Sequence, residues 1–262
     1  MKFKTIITGF LLFGVLILCN SCVRPASLNQ GDLPRESFIH LNKSFKVYQC
    51  GGNVCSHTEI ANLRSGASGF IIRVTSEGSY IITAAHFCED KTPAMENVRI
   101  VSSLVSRRLD GEEYKSEILE YQRDIDVCLV FAEGLTSGVA AVRLSNAAPV
   151  PGDKVFNLAA PFSIVAPNVV PIMEGRYSGQ SNSNDFYTFP AGPGSSGSMI
   201  VNEDNELVGM VHSVFVRFNV VTLSTTYEDL MNFININLRK HSEDSANISV
   251  IFSLNLGDLI NF

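Results

Sequence analysis

Gly194-Ser195-Ser196-Gly197-Ser198 sets a serine among glycines. Glycine lets the backbone turn sharply and approach another chain closely. A serine hydroxyl is a poor nucleophile at neutral pH. It needs an imidazole to take its proton, a carboxylate to orient that imidazole, and backbone N–H groups aimed at the developing oxyanion. Working outward, the chain supplies both partners in distinctive settings: Thr83-Ala84-Ala85-His86, and Asp126-Val127-Cys128-Leu129-Val130. The order is His, Asp, Ser.

These blocks resemble those of the chymotrypsin-like (trypsin-like) serine peptidases, closest in style to the HtrA-like and glutamyl-endopeptidase-like bacterial branches. The resemblance implies that His86 is the general base, Ser196 the nucleophile, and the N–H groups of Gly194 and Ser196 the oxyanion hole. For the acid there are two candidates, Asp124 and Asp126, which would share a face if the segment were extended. The family pattern of Asp, apolar, small, apolar, apolar fits the run from Asp126. Starting at Asp124 puts a charge where a small residue is expected, so Asp126 is preferred. The likeness continues through Pro151–Pro161, Glu206–Val211 and Tyr227–Phe233, and spans about residues 65 to 238. It implies an all-β fold of two antiparallel Greek-key β-barrels with a C-terminal helix, acting on protein or peptide substrates without a metal or organic cofactor. Ala191 falls where the wall of the substrate side-chain pocket is expected. His212 and Ser213 fall on the strand that pairs with substrate. Related enzymes place a histidine near His212 that binds an acidic or amide side chain, but the register is shifted by one, and an ordinary strand histidine is the better reading. Three features depart from the family: no Ile-Val-Gly-Gly-type activation terminus occurs, no stretch is long enough for a PDZ module, and Cys88 stands two residues after His86 where the animal enzymes have a cysteine directly after it.

Composition sets outer bounds. The 262 residues suffice for two barrels, and 45% hydrophobic with 18% charged residues is ordinary for a globular core. Net charge is −6, and becomes −8 (18 basic against 26 acidic) without the two lysines of the leader. An acidic chain with no basic run opposes nucleic-acid binding. Lys2 and Lys4 precede an uncharged apolar run from Ile6 to Leu18, short for a bilayer span, so export is expected. Leu18-Cys19-Asn20-Ser21-Cys22 loosely resembles a lipobox with Cys22 as the lipidated residue. A lipoprotein, a cleaved signal and an uncleaved anchor all stay open, so contact with a membrane is expected only through the leader or a lipid. Export permits disulfides. Cys50 and Cys55 flank a small loop. Cys88 and Cys128 each follow a presumed triad member by two, so the implied meeting of His86 and Asp126 would bring them close. Free thiols are the alternative. Zinc is disfavoured because paired Cys-x-x-Cys spacing is missing.

The organisation expected is a leader at 1–22, an arm at 23–45, a first barrel at 46–140, a second barrel with helix at 141–240, and a tail at 241–262 that adds a strand. The first hairpin is Ser68–Val74 with Tyr80–Thr83. Further strands are expected at Val98–Val101, Glu117–Tyr121 and Asp126–Phe131, where Ile125, Val127, Leu129 and Phe131 alternate onto one face as a barrel wall requires. A linker near Glu133–Pro151 leads to strands at Lys154–Leu158, Val169–Glu174, Asp185–Phe189, Ser198–Asn202, Leu207–His212 and Val216–Leu223. Thr226 caps a helix over Tyr227–Arg239, with Leu230, Phe233 and Ile234 on one face and Ile236 and Leu238 extending it. Two rival functions are a silent trypsin-like binding module and an α/β-hydrolase esterase. The esterase needs the order Ser, Asp, His, which is not the order here.

Overall fold

The computed structural model describes residues 33–51, 54–89, 97–215, 218 and 220–241. The leader, Cys22 and the strand expected in the tail lie outside these. Six antiparallel strands close the first barrel: β1 (Phe38–Gly51), β2 (Val54–Val74), β3 (Gly78–Ala84), β4 (Val98–Arg107), β5 (Glu113–Gln122) and β6 (Val127–Glu133), in the spatial order β1-β2-β3-β6-β5-β4. A four-residue helix, α1 (Ala85–Cys88), follows β3. After the crossing segment comes β7 (Arg143–Leu144), which pairs parallel with a later strand. The second barrel uses β8 (Lys154–Leu158), β9 (Ile172–Ser181), β10 (Asn184–Tyr187), β11 (Met199–Val201), β12 (Glu206–Val214) and β13 (Thr222–Thr225), and the β11–β12 pairing closes it. The helix α2 covers 227–241.

Three apolar layers hold this together. One fills the first barrel, with Ile39, Leu41, Ile71, Ile81, Val130 and Leu135. Another fills the second, around Val155, Tyr187, Phe189, Ile200 and Val208. The third lies between the barrels and under α2, where Phe70, Ile82 and Leu129 meet Leu158, Met199 and Met210, and Leu230, Phe233 and Ile234. Closing a sheet removes its edges, and a strand walled in on both faces reads as a continuous apolar run. That explains β6. Val127, Leu129 and Phe131 do share a face, but it is the face toward the inter-barrel layer. The barrel interior is filled by the opposite set, Cys128, Val130 and Ala132.

Three other expectations shift. The arm ends early: β1 starts at Phe38, and Phe38, Ile39 and Leu41 are buried in the core. The interleaved His40, Asn42 and Lys43 hide that strand in the sequence. Ile236 is 66% exposed. At 100° per residue it lies far from Ile234, and the buried position falls to Asn237, whose amide donates to the Phe233 carbonyl at 2.9 Å. The last strand, β13, begins later than expected. Thr226 caps α2 as expected: its hydroxyl accepts from the Asp229 N–H at 3.2 Å and lies 2.7 Å from the Asp229 carboxylate.

His40 sits in the first barrel wall at 4% exposure, and among the described residues neither ring nitrogen has a hydrogen-bond partner. Burial first, and then the positive charge of Arg107, push its pKa down. The folded value therefore lies below the unfolded one, which is ~6.5. Stability tied to the neutral ring is complete above ~6.5 and is lost as pH falls toward the lower folded value. We expect His40→Leu to make the loss of Tm on acidification from pH ~7 to ~5 shallower than in the wild type. Melting curves across that range check it, and identical slopes would count against this role.

Candidate active site

The cleft forms where the end of the first barrel meets the loop before β11. His86 is on α1, and the β3–β6 pairing sets Ala84 opposite Val127 at its foot. Residues 123–126 form a turn rather than a strand, so Asp124 and Asp126 do not share a face. Asp126 adopts φ 55°, a left-handed conformation that aspartate tolerates better than most residues. This turns its whole residue toward α1. Its carbonyl accepts from the Ala85 N–H at 3.1 Å, and Oδ1 accepts from the His86 N–H at 2.8 Å. Oδ2 lies 2.7 Å from His86 Nδ1. Asp124 stands apart, its carboxylate accepting from Gln122 at 3.2 Å.

With a proton on Nδ1, the ring donates to Asp126, and Nε2 is left to accept from the Ser196 hydroxyl, 3.0 Å away. The disulfide Cys88–Cys128 ties α1 to β6 directly behind this pair. The disulfide Cys50–Cys55 closes the far tip of the β1–β2 ribbon.

The loop that carries Ser196 is braced so that two N–H groups stay open. The Pro193 carbonyl accepts from the Phe162 N–H, and the Ser195 carbonyl accepts from the Ser198 N–H at 3.0 Å. In a trans peptide the N–H points opposite to its C=O, and no cis bond occurs in the described chain. The N–H groups of Gly194 and Ser196 therefore point away from those partners. Among the described residues, neither N–H makes a hydrogen bond. Gly194 has φ 93° and Gly197 φ 81°, a region that favours glycine.

Ser68 is a site residue that the sequence did not flag. It is fully buried, and its hydroxyl donates to the Gly194 carbonyl at 2.8 Å while accepting from the Ala160 N–H at 2.9 Å. Its own N–H donates to the Ser196 carbonyl at 2.9 Å. One side chain of the first barrel thus latches the Ser196 loop of the second. A lone serine before Gly69-Phe70 carries no spacing signal for such a role.

The other sequence candidates are placed less centrally. Ala191 is buried in the second-barrel layer. His212 is half-buried on β12, with Nε2 2.8 Å from Asn184 Oδ1. Burial lowers its pKa, partly opposed by the charge of Asp126. Ser213 pairs with Leu223 on β13. Among the described residues, no group of three or more His, Cys, Asp or Glu side chains is arranged to hold a metal ion.

Residues 67–210, more than half of the chain, match the family model described as the trypsin-like peptidase domain. The chain belongs to this family. Among solved structures, this peptidase domain is similar to the serine endoprotease from Yersinia pestis, with a TM-score of 0.54 at 16% identity. The alignment covers 79% of this chain and 64% of that one, so the chain spans under two thirds of its neighbour's length. At that identity the likeness speaks for the fold, which is trypsin-like. No curated protein matches the chain.

Proposed function

We propose that this protein is an exported serine endopeptidase working through Ser196, His86 and Asp126. The observation that carries this reading is the continuous link from Asp126 Oδ2 to His86 Nδ1 at 2.7 Å and from His86 Nε2 to Ser196 Oγ at 3.0 Å. Oγ attacks the scissile carbonyl while Nε2 takes its proton. The carbonyl oxygen becomes an oxyanion held by the N–H groups of Gly194 and Ser196. Collapse of this intermediate breaks the C–N bond, and the imidazolium returns the proton to the leaving amine. Water then attacks the Ser196 ester, again deprotonated by Nε2, and the acid departs. Export is supported by the leader-like N-terminus and by the two disulfides. Among the described residues no helix is long and apolar enough to cross a membrane.

A fluorophosphonate label followed by peptide mapping tests the activity. The expected result is one modified residue, Ser196, with loss of peptide hydrolysis in proportion to labelling. An unlabelled, correctly folded protein would mean a silent binding module instead. The mass of the mature N-terminal peptide separates a lipidated Cys22 from a simple cleavage.

A further inference from the structure

Beside Ser196 and His86 lies a cavity of about 530 Å³ that the proposed chemistry leaves unassigned. It is built by strand alternation. Residues 43, 45 and 47 of β1 face one way, and in register Phe45 is opposite Leu63 of β2 and Val47 opposite Ile100 of β4. Phe45, Val47, Leu63 and Ile100 therefore form one apolar wall, and the buried Ala67 and Phe87 join it beside His86. The length of the β1–β2 ribbon creates the wall: Val47 and Leu63 lie on these strands but outside the buried core of the first barrel.

The charged groups around the cavity are largely engaged. The Lys43 ammonium donates to the carbonyls of Cys88 at 2.9 Å and Glu89 at 3.2 Å, and the Glu89 carboxylate lies 2.6 Å from Arg123. Arg64 stands at the solvent-exposed rim.

The cavity lies on the leaving-group side. Its lining includes His86, Phe87, Gly194 and Ser196, and none of Ala191, His212 or Ser213, the positions expected to meet the acyl part. His86 Nε2 must reach the departing nitrogen, so the departing chain leaves past the His86 face, where the cavity opens. We propose that this cavity selects a large apolar side chain, aromatic or branched aliphatic, on the residue immediately after the scissile bond. The peptidase would then read its substrates in good part from the first barrel and the ribbon. The inference rests on the serine endopeptidase reading.

Amine partitioning tests it directly. An activated nitrophenyl ester acylates Ser196 whatever the acyl-side preference, with release of nitrophenolate. An added amino-acid amide then competes with water: its nitrogen lone pair attacks the acyl carbon, the C–Oγ bond breaks, and Nε2 passes the amine proton to Oγ. The products are an acyl amide and free enzyme. Phe-NH₂ and Leu-NH₂ should capture the acyl group ~10- to 100-fold better than Gly-NH₂, the scale of burying one such side chain. Leu63 is 61% exposed, so Leu63→Glu should fold normally. It should reduce that preference at least tenfold. Phe45→Ala should act in the same direction. A nitrophenolate burst with equal capture of all amides would overturn the subsite and spare the mechanism. Better capture of Asp-NH₂ would do the same by pointing to Arg64. No burst and no fluorophosphonate labelling would remove the endopeptidase reading and this inference with it.

Discussion

Replacing Ser196 with alanine is expected to lower peptide hydrolysis by about 10⁶, the scale seen when a triad nucleophile is removed. Among the described residues, the Ser196 side chain has a single hydrogen bond, to His86 Nε2. Everything that holds the loop belongs to other atoms: the Ser196 carbonyl accepts from Ser68, the Gly194 carbonyl accepts from the Ser68 hydroxyl, and the Pro193 carbonyl accepts from Phe162. Alanine keeps all of these, so folding stability should change by no more than the ~0.5 kcal/mol usual for a substitution that breaks no packing. The residual rate would come from the open N–H groups of Gly194 and Ser196, which stabilise an oxyanion regardless of what attacks. The measurement pairs kcat/KM on a peptide with a melting curve. A folded Ser196→Ala protein retaining a tenth of wild-type turnover would move the nucleophile elsewhere.

The arrangement of the candidate site left more local traces in the sequence than the scaffold did, for a physical reason. A nucleophile among glycines, a histidine after small residues and an aspartate leading an apolar run are local constraints, and each leaves a local pattern. The Cys88–Cys128 disulfide adjoins two of these segments, whereas Cys50–Cys55 closes a separate short loop, and spacing alone leaves free thiols open for both. Barrel walls leave weaker traces where both faces are buried. In β6 the run 127–132 is apolar throughout, so alternation cannot say which face looks into the barrel. At the start of β1, Lys43 reads as a surface residue but is buried at 3% exposure because two carbonyls receive its ammonium. Ser68 and the ribbon cavity depend on contacts between distant segments, and no spacing in the chain encodes them.

The choice between the two aspartates gives the second large effect. Asp126→Asn is expected to lower kcat by about 10⁴, while Asp124→Asn leaves it within a factor of a few. The substitution at 126 is unusually clean. Asparagine also tolerates the left-handed backbone that φ 55° requires, and its amide oxygen can still accept from the His86 N–H. That contact fixes the amide orientation and puts the NH₂ group where Oδ2 now stands. An NH₂ donor facing Nδ1 requires Nδ1 to be an acceptor, which moves the ring proton to Nε2. A protonated Nε2 cannot take the proton of Ser196 Oγ, and the imidazolium loses the negative charge that stabilises it. Among the described residues, the Asp124 carboxylate hydrogen-bonds to Gln122 and not to His86, so an amide there has no imidazole to redirect. The two outcomes are read from kcat of each variant with Tm measured alongside. Equal, small effects would mean that the carboxylate only anchors α1. A large loss at Asp124 alone would require the 123–126 turn to rearrange when substrate binds.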